Sequence, residues 1–83
     1  MELRQVEYFL KVVDSGSFQA AAAELYISQS SVSKQIIALE DELGVQLFDR
    51  TKRKISLTPA GKAFARPIVK ALRASFAALR PRA

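Results

Sequence analysis

The sequence predicts a small, mainly α-helical domain with one two-stranded β-hairpin between its third and fourth helices. Three observations carry this prediction. Apolar residues recur at spacings of three and four along most of the chain, which indicates amphipathic helices. Ser, Thr or Gly stands at several of the points where these stretches begin or end, as helix caps do. A short stretch near residue 55 instead alternates apolar and polar residues, which is typical of a strand.

Length and composition restrict the possible functions. The chain has 83 residues, 49% of them hydrophobic, with no Cys and no His, so we expect one folded domain. Without Cys and His the commonest nucleophile–base pairs and zinc sites cannot form, and we predict no enzyme activity, no metal and no cofactor. No apolar run approaches the roughly 18–20 residues of a membrane span, and the N-terminus does not resemble a signal peptide. We therefore predict a cytoplasmic protein.

Charge is divided unevenly along the chain. Residues 1–49 hold three basic and all eight acidic residues, a net charge of −5, whereas residues 50–83 hold ten basic residues and no acid. Such asymmetry favours a polyanionic partner, either nucleic acid or an anionic membrane. A basic solubilising surface explains the overall net charge of +5 equally well, so charge alone does not decide between these interpretations.

The first two elements are predicted helices. The first ends at Ser15-Gly16, where Gly16 suits a left-handed C-cap. Its apolar stripe consists of Leu3, Val6, Phe9, Leu10 and Val13. The second helix covers Phe18–Leu25 and is capped by Ser17. Its run of alanines allows another helix to approach closely.

The third predicted helix, Ser28–Leu43, is the centre of the chain's organisation. A three-residue turn joins it to the second helix, and two helices joined in this way form a helix-turn-helix, whose second member enters the DNA major groove. Its inward stripe is Val32, Ile36, Leu39 and Leu43. Its acids come only at the C-terminal end, at residues 40–42, where we expect them to face water. This order opposes the helix dipole and suits an N-terminal end that faces phosphates.

Two short strands, Val45–Asp49 and Lys54–Leu57, are predicted to pair as a hairpin. Their connection, residues 50–53, holds three basic residues in four positions, and like charges crowd unfavourably unless an anion lies opposite. We interpret the hairpin as a DNA-contacting wing, with a solvated turn as the alternative. Because a lone hairpin is marginally stable, its apolar residues should pack against the helices.

The last predicted helix begins at Thr58-Pro59, with Thr58 as its N-cap, and runs to about Leu79. Its apolar ridge consists of Phe64, Ile68, Leu72, Phe76 and Leu79. The first three helices can cover only the start of this ridge, so we predict a homodimer formed through the last helix. Pro67 lies in mid-helix, and the helix either kinks there or ends near Arg66 and restarts.

This order of elements, with three sequence stretches, resembles the N-terminal DNA-binding domain and linker helix of LysR-type bacterial transcriptional regulators. The stretches are LRQVEYFLKVVDSGSFQAAAAEL, then SQSSVSKQI with LEDELGVQLFDR, then LTPAGKAF, within a match from residue 2 to about residue 75. The resemblance implies a winged helix-turn-helix over residues 1–58, a linker and dimerisation helix over residues 59–83, and sequence-specific binding of double-stranded DNA. It also implies a C-terminal effector-binding domain that this sequence lacks, so a small-molecule effector is expected to act only through that domain.

By position, the resemblance implies that Gln29, Ser33 and Lys34 contact bases and phosphates. In the major groove Gln suits adenine and Lys suits guanine. Two positions depart from the usual pattern of the family, because many members carry Pro at the position of Ser30 and a polar or basic residue at that of Ile37. Ile37 either touches a thymine methyl group or lies under a neighbouring side chain.

The resemblance also implies a phosphate contact by Ser17 and contacts of Arg50 and Arg53 with the minor groove or backbone beside the wing. The full set of predicted DNA-binding residues is Ser17, Phe18, Ser28, Gln29, Ser30, Ser31, Ser33, Lys34, Ile37, Arg50, Lys52, Arg53 and Lys54. A two-fold dimer of such domains prefers an inverted repeat. Two other function classes remain as alternatives: a protein-interaction module that uses the last helix, and a membrane-surface binder that uses the same helix as a basic amphipathic segment.

Overall fold

Four α-helices and one two-stranded antiparallel hairpin make up the fold. The structure, a computed structural model, describes residues 1–79, with side chains described for residues 1–71. The elements in chain order are α1 (Leu3–Ser15), α2 (Phe18–Leu25), α3 (Gln29–Leu43), β1 (Phe48–Asp49), β2 (Ser56–Leu57) and α4 (Pro59–Leu79). The predicted fold class and the predicted order of elements are confirmed.

Local capping explains where the first three helices begin and end. Ser17 and Ser28 cap α2 and α3, each through a hydroxyl that accepts a bond from the amide three residues on, at 3.0 and 3.1 Å. Gly16 and Gly44 end α1 and α3 in the left-handed conformation, with φ of 85° and 73°. The caps at Gly16 and Ser17 are the predicted ones.

The core lies where α1, α2 and α3 meet the base of the hairpin and the start of α4. Its buried apolar residues are Phe9, Val12, Phe18, Ala21, Ala22, Val32, Ile36, Leu39, Leu47, Phe48 and Ala65. Four aromatic rings meet there. Between ring centroids, Phe9 lies 5.4 Å from Phe48 and 5.3 Å from Phe64, and Phe18 lies 5.5 Å from Phe48. Such tilted and edge-on pairs are favourable arrangements of aromatic rings.

The buried face of α1 differs from the predicted stripe. Gln5, Phe9 and Val12 are buried, whereas Leu3 is 74% exposed and the other members of the stripe, apart from Phe9, are partly buried. Two contacts explain the change. α2 and α3 both pack on α1, and the Gln5 side chain accepts a bond from the Glu2 amide at 3.1 Å, which holds a polar residue on the inner face. The stripe of α3 is also shorter than predicted, because Leu43 lies in its last, uncovered turn and is exposed.

The hairpin is confirmed but is shorter than predicted. Phe48 pairs with Leu57 and Asp49 with Ser56, and no further pair extends the ladder among the described residues. The preceding residue explains where the pairing begins. The Leu47 amide donates to the Glu40 carboxylate at 2.7 Å and the Leu47 carbonyl accepts from the Thr58 amide at 3.0 Å. The Leu47–Thr58 bond follows the register of the two pairs, but the Leu47 amide donates to Glu40 on α3 instead of back to Thr58, so the ladder does not continue as a full pair.

The start of α4 is fixed tightly against the hairpin. The Thr58 hydroxyl accepts from the Gly61 amide at 3.0 Å and donates to the Gln46 carbonyl at 2.5 Å. Gly61 is buried, and a Cβ atom placed on it would lie 2.1 Å from the Leu47 carbonyl oxygen. Only glycine permits so close an approach of the helix to the backbone.

α4 is continuous through Pro67 to Leu79, so the alternative in which it ends near Arg66 is wrong. Phe64 lies at the start of the predicted dimerisation ridge, and its ring is partly buried against Phe9 in the core of the same chain. Ile68 is half-buried. The side chains of Leu72, Phe76 and Leu79 lie outside the described residues.

Candidate nucleic-acid interface

The first two turns of α3 present a polar surface to solvent. Its exposed members are the N-cap Ser28 with Gln29, Ser30, Ser31 and Lys34, and Ser33 is half-buried. The apolar Ile37 is exposed one turn further along the helix. The opposite side of the helix, at Val32, Ile36 and Leu39, lies in the core. Seven of the predicted DNA-binding residues are thus brought together on one helix, whose orientation is fixed by its buried stripe.

Hydroxyl groups order the N-terminal end of α3. The Ser28 hydroxyl lies 3.1 Å from that of Ser30 and 2.7 Å from that of Ser31, besides accepting from the Ser31 amide. The first turn of a helix has amide groups without intrahelical acceptors, and an N-terminal end of this kind attracts phosphate. No acid lies in the first turn of α3.

Ile37 is 48% exposed, so it does not lie under a neighbouring side chain. It sits one turn beyond Ser33 and Lys34, and the exposed residues that precede it on α3 are all polar. An exposed branched apolar side chain in such a place is suited to contact another apolar group, and the thymine methyl is the apolar group that the major groove offers.

The connection between the strands carries exposed positive charge. We call residues 50–55 the wing tip. Lys52, Arg53 and Lys54 are exposed there, and none of them forms an ion pair within the part of the chain whose side chains are described. Asp49 orders the start of the tip by accepting from the Thr51 hydroxyl at 2.6 Å and from the Thr51 amide at 2.9 Å. These bonds, the hydroxyl bond first, hold the pKa of the Asp49 carboxyl below its usual value of 3.8.

Arg50 is placed differently from the other basic residues of the tip. Its guanidinium donates through Nη2 to Oε1 of Glu40 at 3.0 Å and through Nη1 to Oε2 at 3.3 Å. Glu40 is buried, 7% exposed, so the prediction that it faces water is wrong. The sequence holds a signal for this burial, because Glu40 continues the four-residue spacing of Val32 and Ile36 along the inner face of α3.

Phe18 is also placed differently from the prediction. Its side chain is 9% exposed, and its ring centroid lies 5.5 Å from that of Phe48. The ring is a core group and is not available to contact DNA, because a large apolar side chain next to the helix start is more stable when buried. Its neighbour Ser17 is partly buried and caps α2.

Across residues 1–79, no helix is long and apolar enough to cross a membrane. In the same region, no group of three His, Cys, Asp or Glu residues lies close enough to hold a metal ion.

A family model decides which proteins this chain is related to. The model described as "Bacterial regulatory helix-turn-helix protein, lysR family" matches residues 3–62. The chain belongs to the lysR family. This confirms the family that the sequence stretches indicated.

Curated members of the lysR family match the chain over most of its length. The HTH-type transcriptional regulator TfdT of Cupriavidus pinatubonensis is 48% identical over 64 residues, which cover 77% of this chain and 28% of TfdT. The HTH-type transcriptional regulator BenM of Acinetobacter baylyi is 46% identical over 72 residues, which cover 87% of this chain and 24% of BenM. The chain thus spans about a quarter of the length of these relatives.

Solved lysR-family structures share the fold. A crystal structure of the BenM DBD with catB site 1 DNA superposes with a TM-score of 0.85 at 42% identity, covering 95% of this chain and 85% of that one. A crystal structure of a CbnR DBD–DNA complex gives a TM-score of 0.75 at 44% identity, covering 96% of this chain and all of the other. The winged helix-turn-helix class is confirmed by these similarities.

Proposed function

We propose that this chain is the part of a LysR-type transcriptional regulator that binds double-stranded DNA in a sequence-specific manner. The observation that carries the proposal is the exposed polar surface of α3, held by a buried stripe and free of acids in its first turn. The relatives BenM and CbnR, with the same fold, have been crystallised with DNA. These observations favour a DNA-binding module over an enzyme, and we propose that the protein works in the cytoplasm.

Base recognition is assigned to α3. Gln29 offers both a donor and an acceptor and is suited to the major-groove edge of adenine, while Lys34 donates only and is suited to guanine. The hydroxyls of Ser30 and Ser33 accept or donate and therefore adjust to either kind of base edge or to a phosphate. The Ser28 and Ser31 hydroxyls are occupied with each other, so we assign them to ordering the helix start.

We assign the part of the DNA affinity that does not depend on sequence to contacts with phosphates. The basic residues of the wing tip that form no ion pair among the described side chains, Lys52, Arg53 and Lys54, are suited to this role, as is the N-terminal end of α2 at Ser17. Each phosphate neutralised releases counterions, so the affinity is expected to fall as salt rises.

The apolar ridge on α4 is the basis for a proposed dimer. We propose that two copies pair through this helix, with Ile68 in the contact, and that the dimer binds an inverted repeat with half-sites about one helical turn, or a multiple of it, apart. A small-molecule effector would act through a further domain of a longer protein, not through residues 1–79.

The test is a binding-site selection with the 83-residue chain, followed by titrations of matched and mismatched duplexes at several salt concentrations. Gln29→Ala is expected to relax preference at one base pair by about 1–3 kcal/mol, because it removes a base contact. Arg53→Ala is expected to weaken all duplexes alike and to lower the salt slope by about one.

The matched control is Gln46→Ala, which removes the same exposed side chain from the loop after α3 and should leave preference unchanged. Equal losses on every duplex for Gln29→Ala would contradict its role as a base reader. A chain that dimerises but shows no salt-dependent binding to any duplex would contradict the DNA-binding function and favour a protein-interaction module.

A further inference from the structure

We propose that Glu40 and Arg50 are positioning residues that hold the wing against α3, so that Arg50 acts on DNA through the placement of the wing tip rather than by binding phosphate itself. This inference rests on the proposed DNA-binding function and names residues that determine how its two contact regions are held together. The evidence is a single buried carboxylate on which α3, β1 and the wing tip converge.

The Glu40 carboxylate collects donors from the base of the hairpin. Oε2 accepts from the Leu47 amide at 2.7 Å and from the Phe48 amide at 3.3 Å, and the two carboxylate oxygens together accept both Nη groups of Arg50. Glu40 belongs to α3, whereas all of these donors belong to residues 47–50. Charge-assisted and bidentate bonds of this kind fix orientation as well as distance.

Arg50 extends the same connection to α2. Its guanidinium carbon lies 5.2 Å from the centroid of the Phe18 ring, within the range of a cation–π contact. That ring in turn packs edge-on against Phe48 at 5.5 Å. The first residue of α2, the last turn of α3 and the first strand of the hairpin therefore meet around one ion pair.

The strands themselves are too short to orient the wing tip. They pair through two residues each, and a two-stranded hairpin is marginal alone even when it is longer. The second strand is tied at its end by the Thr58 amide, which donates to the Leu47 carbonyl at 3.0 Å. The first strand is tied at its start by Glu40, so this carboxylate supplies the restraint that a longer ladder would otherwise provide.

The charges favour this role over a phosphate contact for Arg50. Its guanidinium faces a buried carboxylate, and the side chain is 36% exposed. The three other basic residues of the wing tip form no ion pair among the described side chains. An arginine already paired with a carboxylate adds little net positive charge for a phosphate to meet. Lys52, Arg53 and Lys54 supply that charge instead.

The direction in which Glu40→Gln changes the affinity for DNA separates the positioning role from a pure effect of charge. Glu40→Gln removes a negative charge from the DNA-binding domain, which on charge alone should strengthen DNA binding. A positioning role predicts the opposite, a loss of about tenfold in affinity for the selected duplex, which is a usual size for residues that act as a unit. The matched control is Asp41→Asn, which removes the same charge from the next residue of α3, where the side chain is exposed, and should leave affinity unchanged or slightly higher.

A double-mutant cycle that combines Glu40→Gln with Arg53→Ala measures a coupling in DNA affinity. A loss of stability alone would not produce this coupling. In the wild-type background Arg53→Ala is expected to cost about tenfold in affinity, and in the Glu40→Gln background about threefold or less, because a displaced wing tip no longer brings Arg53 to its phosphate. The measurements are made at a temperature where circular dichroism shows every variant folded. Equal Arg53→Ala losses in the two backgrounds would overturn the proposal.

Arg50→Lys keeps the positive charge, loses the bidentate geometry, and serves as the deciding variant if Glu40→Gln does not fold. A positioning role predicts that Arg50→Lys also weakens binding and also reduces the Arg53→Ala loss, whereas a direct phosphate contact predicts near wild-type affinity and additive losses. Wild-type protein without salt-dependent duplex binding would refute the proposed function itself. Wild-type binding with Glu40→Gln and Arg50→Lys behaving as Asp41→Asn would refute only the positioning role.

Discussion

Tyr26 has a backbone conformation that its side chain does not favour. It ends α2 in the left-handed region, with φ 59° and ψ 38°, where Gly and Asn are the usual residues. The side chain is 95% exposed, so no packing compensates for the strain. Tyr26→Asn is expected to raise the free energy of unfolding by about 1 kcal/mol, measured by urea denaturation followed by circular dichroism. The control is Tyr26→Ala, which removes the ring but keeps a strained residue; an equal gain there would show that conformation is not the cause.

Ile37 leads to a prediction that is tested on the DNA instead of the protein. If its exposed side chain meets a thymine methyl group, replacing that thymine with deoxyuridine removes one methyl contact, worth roughly 0.8 kcal/mol or about fourfold in affinity. The measurement is a titration of duplexes with one thymine replaced at a time. The Ile37→Ala variant is the control, since it should be insensitive to the replacement. Wild-type affinity that is unchanged at every thymine would exclude the contact.

Single residues differ in how far the sequence alone predicts their role. The exposure of Gln29, Ser30 and Lys34 follows from helical periodicity, because the apolar stripe fixes which side faces out. The roles of Glu40 and Arg50 depend on amides and a ring from distant parts of the chain, which periodicity does not contain. Arg50 lies in a cluster of basic residues, so the sequence predicts the same role for it as for its neighbours. Its ion pair with Glu40 sets it apart from them.

At the scale of elements, the contact between α4 and the hairpin depends on the absence of a side chain at Gly61. A methyl group there would meet the Leu47 carbonyl oxygen at 2.1 Å and the Leu57 side chain at 2.9 Å. Gly61→Ala is expected to lower the free energy of unfolding by about 1–3 kcal/mol, the usual cost of overpacking, despite the better helix propensity of alanine. Thermal and urea denaturation measure this. Lys62→Ala, at the next and exposed position, is the control, and a Gly61→Ala variant as stable as that control would contradict the close packing.

Helix boundaries were predictable because their determinants are local. Ser17, Ser28 and Thr58 cap helices through atoms within three residues of themselves, so the sequence nearby is sufficient. Strand length was not, since the Leu47 amide bonds to a carboxylate on α3, seven positions away, instead of completing the next pair of the ladder. The face of α1 was also set by non-local packing, which is why Gln5 is buried and Leu3 is not.

At the scale of the whole molecule, the proposed dimer is the arrangement most directly open to measurement. Ile68→Glu places a charge at the half-buried Ile68 position of α4 and is expected to shift the sedimentation profile from dimer toward monomer while the helical signal is retained. Lys70→Glu places the same side chain away from the ridge and is the control. An unchanged dimer with Ile68→Glu would contradict pairing through this helix. Phe64 is unsuitable for the test, because its ring packs on Phe9 within one chain.

Leu47 joins three elements through one residue, since its amide is bonded to α3 and its carbonyl to the residue that starts α4. Gly61 packs so closely on Leu47 that α4 cannot shift toward the base of the hairpin. A tilt of α4 would therefore move the base of the hairpin in the same direction. In the proposed dimer, the angle between the two α4 helices would therefore also set how far apart the two wings stand.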